Sequence, residues 1–133
     1  MLIIFYSFLL SYMLFFSICV APVINSTLDK KNSSILLRKI FPKNFLFGMT
    51  FSFFAILVSI YYENLLSILI SSIIFIFFIL NLYILVPKIN LEADKTTNIK
   101  GYNKRFKFLH LFSVILYLIQ ILLCIIYIIL DYY

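Results

Sequence analysis

The sequence predicts an all-α integral membrane protein whose four transmembrane helices form an antiparallel bundle, with both termini on the non-cytoplasmic side. Three observations lead there. First, 65% of the residues are hydrophobic and 12% charged, with a mean hydropathy of +1.13 over 133 residues. A soluble fold of this size needs more polar surface than that. Second, the apolar residues fall into four runs, about 2–24, 45–62, 65–86 and 108–130. As helices these rise roughly 27 to 35 Å, against a hydrocarbon core of about 30 Å. Third, the basic residues sit in only two places. Lys30, Lys31, Arg38, Lys39 and Lys43 separate the first two runs, and Lys88, Lys95, Lys100, Lys104, Arg105 and Lys107 separate the last two. That asymmetry places both connecting segments in the cytoplasm. Residues 1–133 thus read as a single four-span membrane domain, and the net charge of +6 reports topology rather than nucleic-acid binding.

The first run has no basic stretch ahead of it and is too long for the apolar part of a cleaved signal, so it reads as a retained span. It mixes aromatic residues with Ser7, Ser11 and Ser17, and Ala21-Pro22 near its end predicts a kink or a stop. In the next segment, Ser33 or Ser34 is the expected N-cap of a short amphipathic surface helix, stopped by Pro42. Two glycosylation sequons there, at Asn25 and Asn32, are accidental on a cytoplasmic face.

The second run carries Gly48, Ser52, Ala55, Ser59 and Tyr62 at alternating spacings of four and three, so small residues line one helix face. Such a face lets helix backbones approach closely in lipid. The turn around Tyr62, Glu63 and Asn64 predicts a tight hairpin into the third run, where Asn64, Ser67, Ser71 and Asn81 share a frame and Pro87 is the expected end. Gly101 is a helix breaker, and Asn103 is the expected cap of the fourth helix. Tyr61, Tyr62, Tyr132 and Tyr133 would form an aromatic belt at the outer interface, and Lys100, Lys104, Arg105 and Lys107 would meet anionic lipid headgroups at the cytoplasmic one.

The fourth run has the strongest pattern. His110, Ser113, Tyr117, Gln120, Cys124 and Tyr127 recur at intervals of three and four, with Asp131 continuing the series, and the rest of the run is Leu, Ile, Val and Phe. The stripe must face protein, a cavity or a second copy. His110 is the only histidine, so haem ligation by two imidazoles needs a dimer. Cys19 and Cys124 lie roughly 16 Å apart in depth at about 1.5 Å per residue, too far for a disulfide. No cluster of metal-ligand spacing, no phosphate-binding loop and no nucleophile arrangement occurs, so neither a metal, a cofactor nor an enzymatic activity is expected.

Taken together, Ala21-Pro22, Phe41-Pro42, Asn81 with Pro87, and Arg105-Phe106 leading to Leu109-His110 and Ser113 resemble the small four-span family typified by transmembrane protein 205, domain of unknown function 4149. The resemblance implies a multi-pass helical membrane protein without an assigned activity, with Asn81, Pro87, Phe106, His110 and Ser113 as characteristic positions. Three functional readings follow. One is an oligomeric structural or accessory component whose stripe is a packing seam. The alternative is a small permease or efflux component with a polar path along the fourth helix, and the third is a haem- or quinone-linked redox protein. Richness in Ile, Phe, Tyr, Asn and Lys points to a bacterial inner membrane over an organelle membrane.

Overall fold

The computed structural model describes residues 1–95 and 101–133. Among the described residues all regular structure is helical, and four helices are long and apolar enough to cross a membrane: α1 (Leu2–Thr27), α2 (Lys30–Tyr61), α3 (Leu65–Lys95) and α4 (Lys104–Tyr132). Each apolar run therefore lies inside a helix, save Tyr62 at the end of the second, and α2 and α3 extend well past the runs into basic sequence. Nothing in helix formation itself requires a helix to stop where its lipid-facing stretch stops.

The caps show why the ends fall where they do. Asp29, not Ser33 or Ser34, caps α2: its carboxylate accepts from the Asn32 backbone N–H at 3.4 Å and from the Asn32 amide at 2.5 Å. The segment expected as a separate surface helix is thus the first part of α2, and Pro42 lies inside that helix. An interior proline costs about 3 kcal/mol in an isolated helix, a cost that neighbouring helices offset here. Asn64 caps α3 through the Ser67 N–H at 2.9 Å, and Asn103 caps α4 through the Phe106 N–H at 2.7 Å. The Asn103 cap is as expected from sequence. Glu63, at φ 52°, makes the turn between α2 and α3, and Gly101 takes φ 97° ahead of the Asn103 cap.

Pro22 and Pro87 also fail to end their helices. Each follows a single π-helical stretch, Phe16–Val20 in α1 and Leu80–Leu85 in α3, with the α-helix resuming at Ala21 and Val86. The Ala21 N–H reaches back to the Phe16 carbonyl and the Val86 N–H to the Asn81 carbonyl, five residues in each case. A wider turn just before proline relieves the clash of its ring with the preceding turn.

Packing follows the small and weakly polar faces. Gly48, Ser52, Ala55 and Ser59 of α2 are buried, as are Ser67, Ser71, Ile74, Phe78 and Asn81 of α3. Ser59 meets Ser67, Phe53 meets Phe75 and Phe45 meets Phe78. In α1 the buried face is Leu2, Tyr6, Leu9, Met13 and Phe16, while Ser7, Ser11 and Ser17 are exposed. Ser11 returns its hydroxyl to the Ser7 carbonyl at 2.7 Å, which satisfies it without a neighbour.

Gly48 marks the tightest approach. A Cβ there would collide with the Tyr12 hydroxyl and the edge of the Phe78 ring. Gly48→Ala should therefore lower stability by about 1–3 kcal/mol, the ordinary cost of overpacking. Unfolding of the purified protein in mixed micelles measures this, with the exposed Thr50→Ala as a control expected within about 0.5 kcal/mol of the parent. Equal stability of the two variants would mean that α1, α2 and α3 are not packed as described.

Candidate functional site: a polar seam and a one-sided cavity

The interior polar groups fall into two zones separated by an aromatic layer. The first zone lies toward the α2–α3 hairpin. There Tyr6 donates to the Ser67 carbonyl at 2.9 Å with its oxygen 3.0 Å from the Ser67 hydroxyl, which lies 2.6 Å from that of Ser59. Ser71 donates to the same Ser67 carbonyl at 2.6 Å, and Asn64 donates to the Tyr127 hydroxyl at 3.4 Å. The rings of Tyr6 and Tyr127 stack at 3.9 Å, and Tyr127 in turn donates to Asp131 at 3.3 Å. All four helices contribute, so this end is both packed and bonded.

The aromatic layer is made by Phe45, Phe78 and Tyr117, whose ring centroids lie 6.0 to 6.5 Å apart. Asn44 donates to the Tyr117 hydroxyl at 3.2 Å, linking α2 to α4. Just on its hairpin side, Gln120 donates to the Ile74 carbonyl at 2.9 Å. Ser113 donates a short hydrogen bond to Asn81, linking α4 to α3 at the π stretch.

Beyond that layer, toward the basic segments, the helices separate around a cavity of about 940 Å³. Its wall includes Phe16, Phe41, Ile89, His110, Ser113 and Tyr117. The cavity opens where α1 and α4 part: the two helices pack along Leu2–Phe15, and past the π stretch α1 stays packed on α2 but not on α4. Val114 and Leu118, which line the cavity from α4, are both exposed, which places an opening beside them. Lys30, Lys31 and Arg38 line the end near the basic segments.

The expected stripe is thus divided between the zones. Gln120, Cys124 and Tyr127 are almost completely buried against the chain's own helices, whereas Ser113 and Tyr117 are at the base of the cavity. His110 is exposed, lines the cavity, and stacks on Phe106 with ring centroids 5.9 Å apart. Gln120, Cys124 and Tyr127 thus face protein, and His110, Ser113 and Tyr117 face the cavity. Cys19 is exposed and Cys124 buried, and both are free thiols.

Of the basic residues expected at headgroups, Arg105 lies 3.5 Å from Glu92, which is also bound by Lys95 at 3.1 Å and by the Asn103 amide at 3.1 Å. Lys104 and Lys107 are exposed, and Lys100 lies outside the described residues. Arg38 pairs with Asp94 at 2.6 Å, joining α2 to α3. Sequence reasoning missed Tyr6, Tyr12 and Asn44 as interior groups. Tyr6 shares the three-and-four spacing of Leu2, Leu9 and Met13, which was the available signal.

Fold and site together define a four-helix membrane protein with one sealed end and one hollow end. The family model for a domain of unknown function, DUF4149, matches residues 4–96, and the chain belongs to that family. The match spans α1 to α3, with Asn81 and Pro87 inside it and Phe106, His110 and Ser113 beyond it. No curated protein and no solved structure matches the chain.

The two linking bonds between α3 and α4 differ in what removal leaves behind. Gln120→Leu removes a bond to a carbonyl already within a helix and keeps the volume, so stability should change by less than about 1 kcal/mol. Ser113→Val strands the buried Asn81 carbonyl and should cost about 1–3 kcal/mol. Chemical unfolding in detergent compares them, and the reverse order of effects would mean that the Ser113–Asn81 bond is not formed.

Proposed function

We propose that the chain acts as a small permease or efflux component of the transmembrane protein 205-like type, taking a ligand into the cavity and passing it along the interior. The single observation that carries this reading is the asymmetry of the interior, hollow at the basic end and bonded shut at the hairpin end. A protein serving only to pack against others has no use for a 940 Å³ cavity lined by aromatic rings and a few hydrogen-bonding groups. Its work on this reading is binding and transfer, without catalysis.

Gln120, Cys124 and Tyr127 are covered by the chain's own helices, as a packing seam would be, so the path of this reading begins at the cavity end, where His110, Ser113 and Tyr117 line the wall. The helices run antiparallel, with the cavity opening toward the cytoplasm and both termini outside. The order of contacts along α2 and α3 and the gathering of cations near the cavity support that topology. On composition, the membrane is the bacterial inner membrane.

Single cysteines test this in sealed vesicles. With Cys19 and Cys124 both replaced by serine, Ser113→Cys should react with a charged, membrane-impermeant maleimide from the basic-segment side. Ser71→Cys, within the sealed zone, should react from the opposite side and more slowly, each time that end opens. A Ser71→Cys thiol that never reacts would reject transfer through the interior, and a Ser113→Cys thiol that never reacts would reject the cavity itself.

A further inference from the structure

The charge and shape of the cavity point to a particular class of ligand. We infer that it holds an anionic membrane lipid, its headgroup between Lys30 and Lys31 and its acyl chains against the aromatic wall, entering from the bilayer through the gap between α1 and α4. This rests on the cavity reading above and adds to it the identity of the occupant.

Three observations converge on it. Lys30, Lys31 and Arg38 reach the cavity, and no carboxylate does among the described residues. Arg38 is held by Asp94, while among the described residues no carboxylate pairs with Lys30 or Lys31. These lysines are the first two residues of α2, where the helix dipole disfavours cations, so helix chemistry does not account for them. Below them the wall turns apolar at Leu37, Phe41, Ile89 and Phe106, the order of polarity along a lipid from head to tail. The lateral opening beside Val114 and Leu118 lets acyl chains run out into the bilayer, so the ligand need not fit wholly inside. A soluble anion would leave the aromatic wall uncovered, and an uncharged amphiphile would leave the lysines unmatched.

The chain has no tryptophan, so one introduced indole reports without background. Phe41→Trp sits in the cavity wall, and Phe54→Trp on the exposed face of α2 is the control. In phosphatidylcholine nanodiscs, chain-brominated phosphatidylglycerol should quench Phe41→Trp at a mole fraction about tenfold lower than brominated phosphatidylcholine does, given the attraction of each nearby lysine for anionic lipid. Phe54→Trp should show far less preference. Adding Lys30→Gln and Lys31→Gln, both exposed and remote from the packed core, should abolish the preference at Phe41→Trp and leave the protein folded by circular dichroism.

Equal quenching by both lipids would overturn the anionic assignment while leaving a lipid-accessible cavity. Displacement of the signal by inorganic phosphate would overturn the lipid in favour of a soluble anion. Absence of quenching with Ser113→Cys still reactive would also overturn the lipid, again leaving the cavity intact. Absence of quenching together with an unreactive Ser113→Cys would remove both this inference and the cavity on which it rests.

Discussion

Lipid offers no hydrogen bonds, and that one constraint organises the molecule. Every polar group on a helix that crosses a bilayer must find its partner within the protein or reach the headgroups. Here the outward faces of α4 are leucine, isoleucine, valine and phenylalanine, while Ser113, Gln120 and Tyr127 turn inward. Each interhelical bond contributes modestly, on the order of 0.6 kcal/mol in membranes. Their collective effect is registration: Tyr6 on Ser67, Ser59 on Ser67, Asn44 on Tyr117 and Ser113 on Asn81 each select one sliding position between a pair of helices. Hydrophobic burial could not make that selection, because lipid receives a leucine as readily as a neighbouring helix does.

The same constraint explains why the cavity and the prolines coincide. A proline inside a membrane helix frees a carbonyl that lipid cannot satisfy. At Pro22 and Pro87 a π stretch absorbs the defect, and both stretches lie at the level where the interior changes from sealed to hollow. An extra residue in a turn shifts the helix face that follows it. Leu2–Phe15 of α1 packs on both α4 and α2, and after Phe16–Val20 the helix keeps its packing on α2 while that on α4 falls away. The backbone defect and the opening of the cavity are thus one structural event.

How much of this was legible in the sequence depended on which force set the feature. The four helices, the buried face of α4 and the small faces of α2 and α3 arise from partition between lipid and protein, which periodicity records directly. Asn103 and Gly101 act through local backbone chemistry and were equally readable. The helix ends were not, since counting an apolar run stops at the first charges, whereas α2 continues through Lys43, Pro42 and Arg38 back to Asp29. Asn44 falls just outside the run 45–62 for that reason, although its side chain is buried against Tyr117. His110 shares the spacing of Tyr117 and Tyr127, and only the turning of α1 at its π stretch separates its surroundings from theirs.

The boundary between the two zones is also where the interior is least satisfied. The Tyr12 hydroxyl, the Asn81 amide nitrogen and the Gln120 carbonyl oxygen are buried without a protein partner, and each lies beside the aromatic layer or just beyond it. A buried polar atom left unpaired costs about 1–3 kcal/mol. The hairpin end, by contrast, closes its groups on one another through Tyr6, Ser59, Ser67 and Tyr127. The bundle therefore has a firm end and a layer near its middle held in a less favourable arrangement. That layer still carries the Asn44–Tyr117, Gln120–Ile74 and Ser113–Asn81 bonds, so its three unpaired atoms are a cost the interhelical bonds around them hold in place.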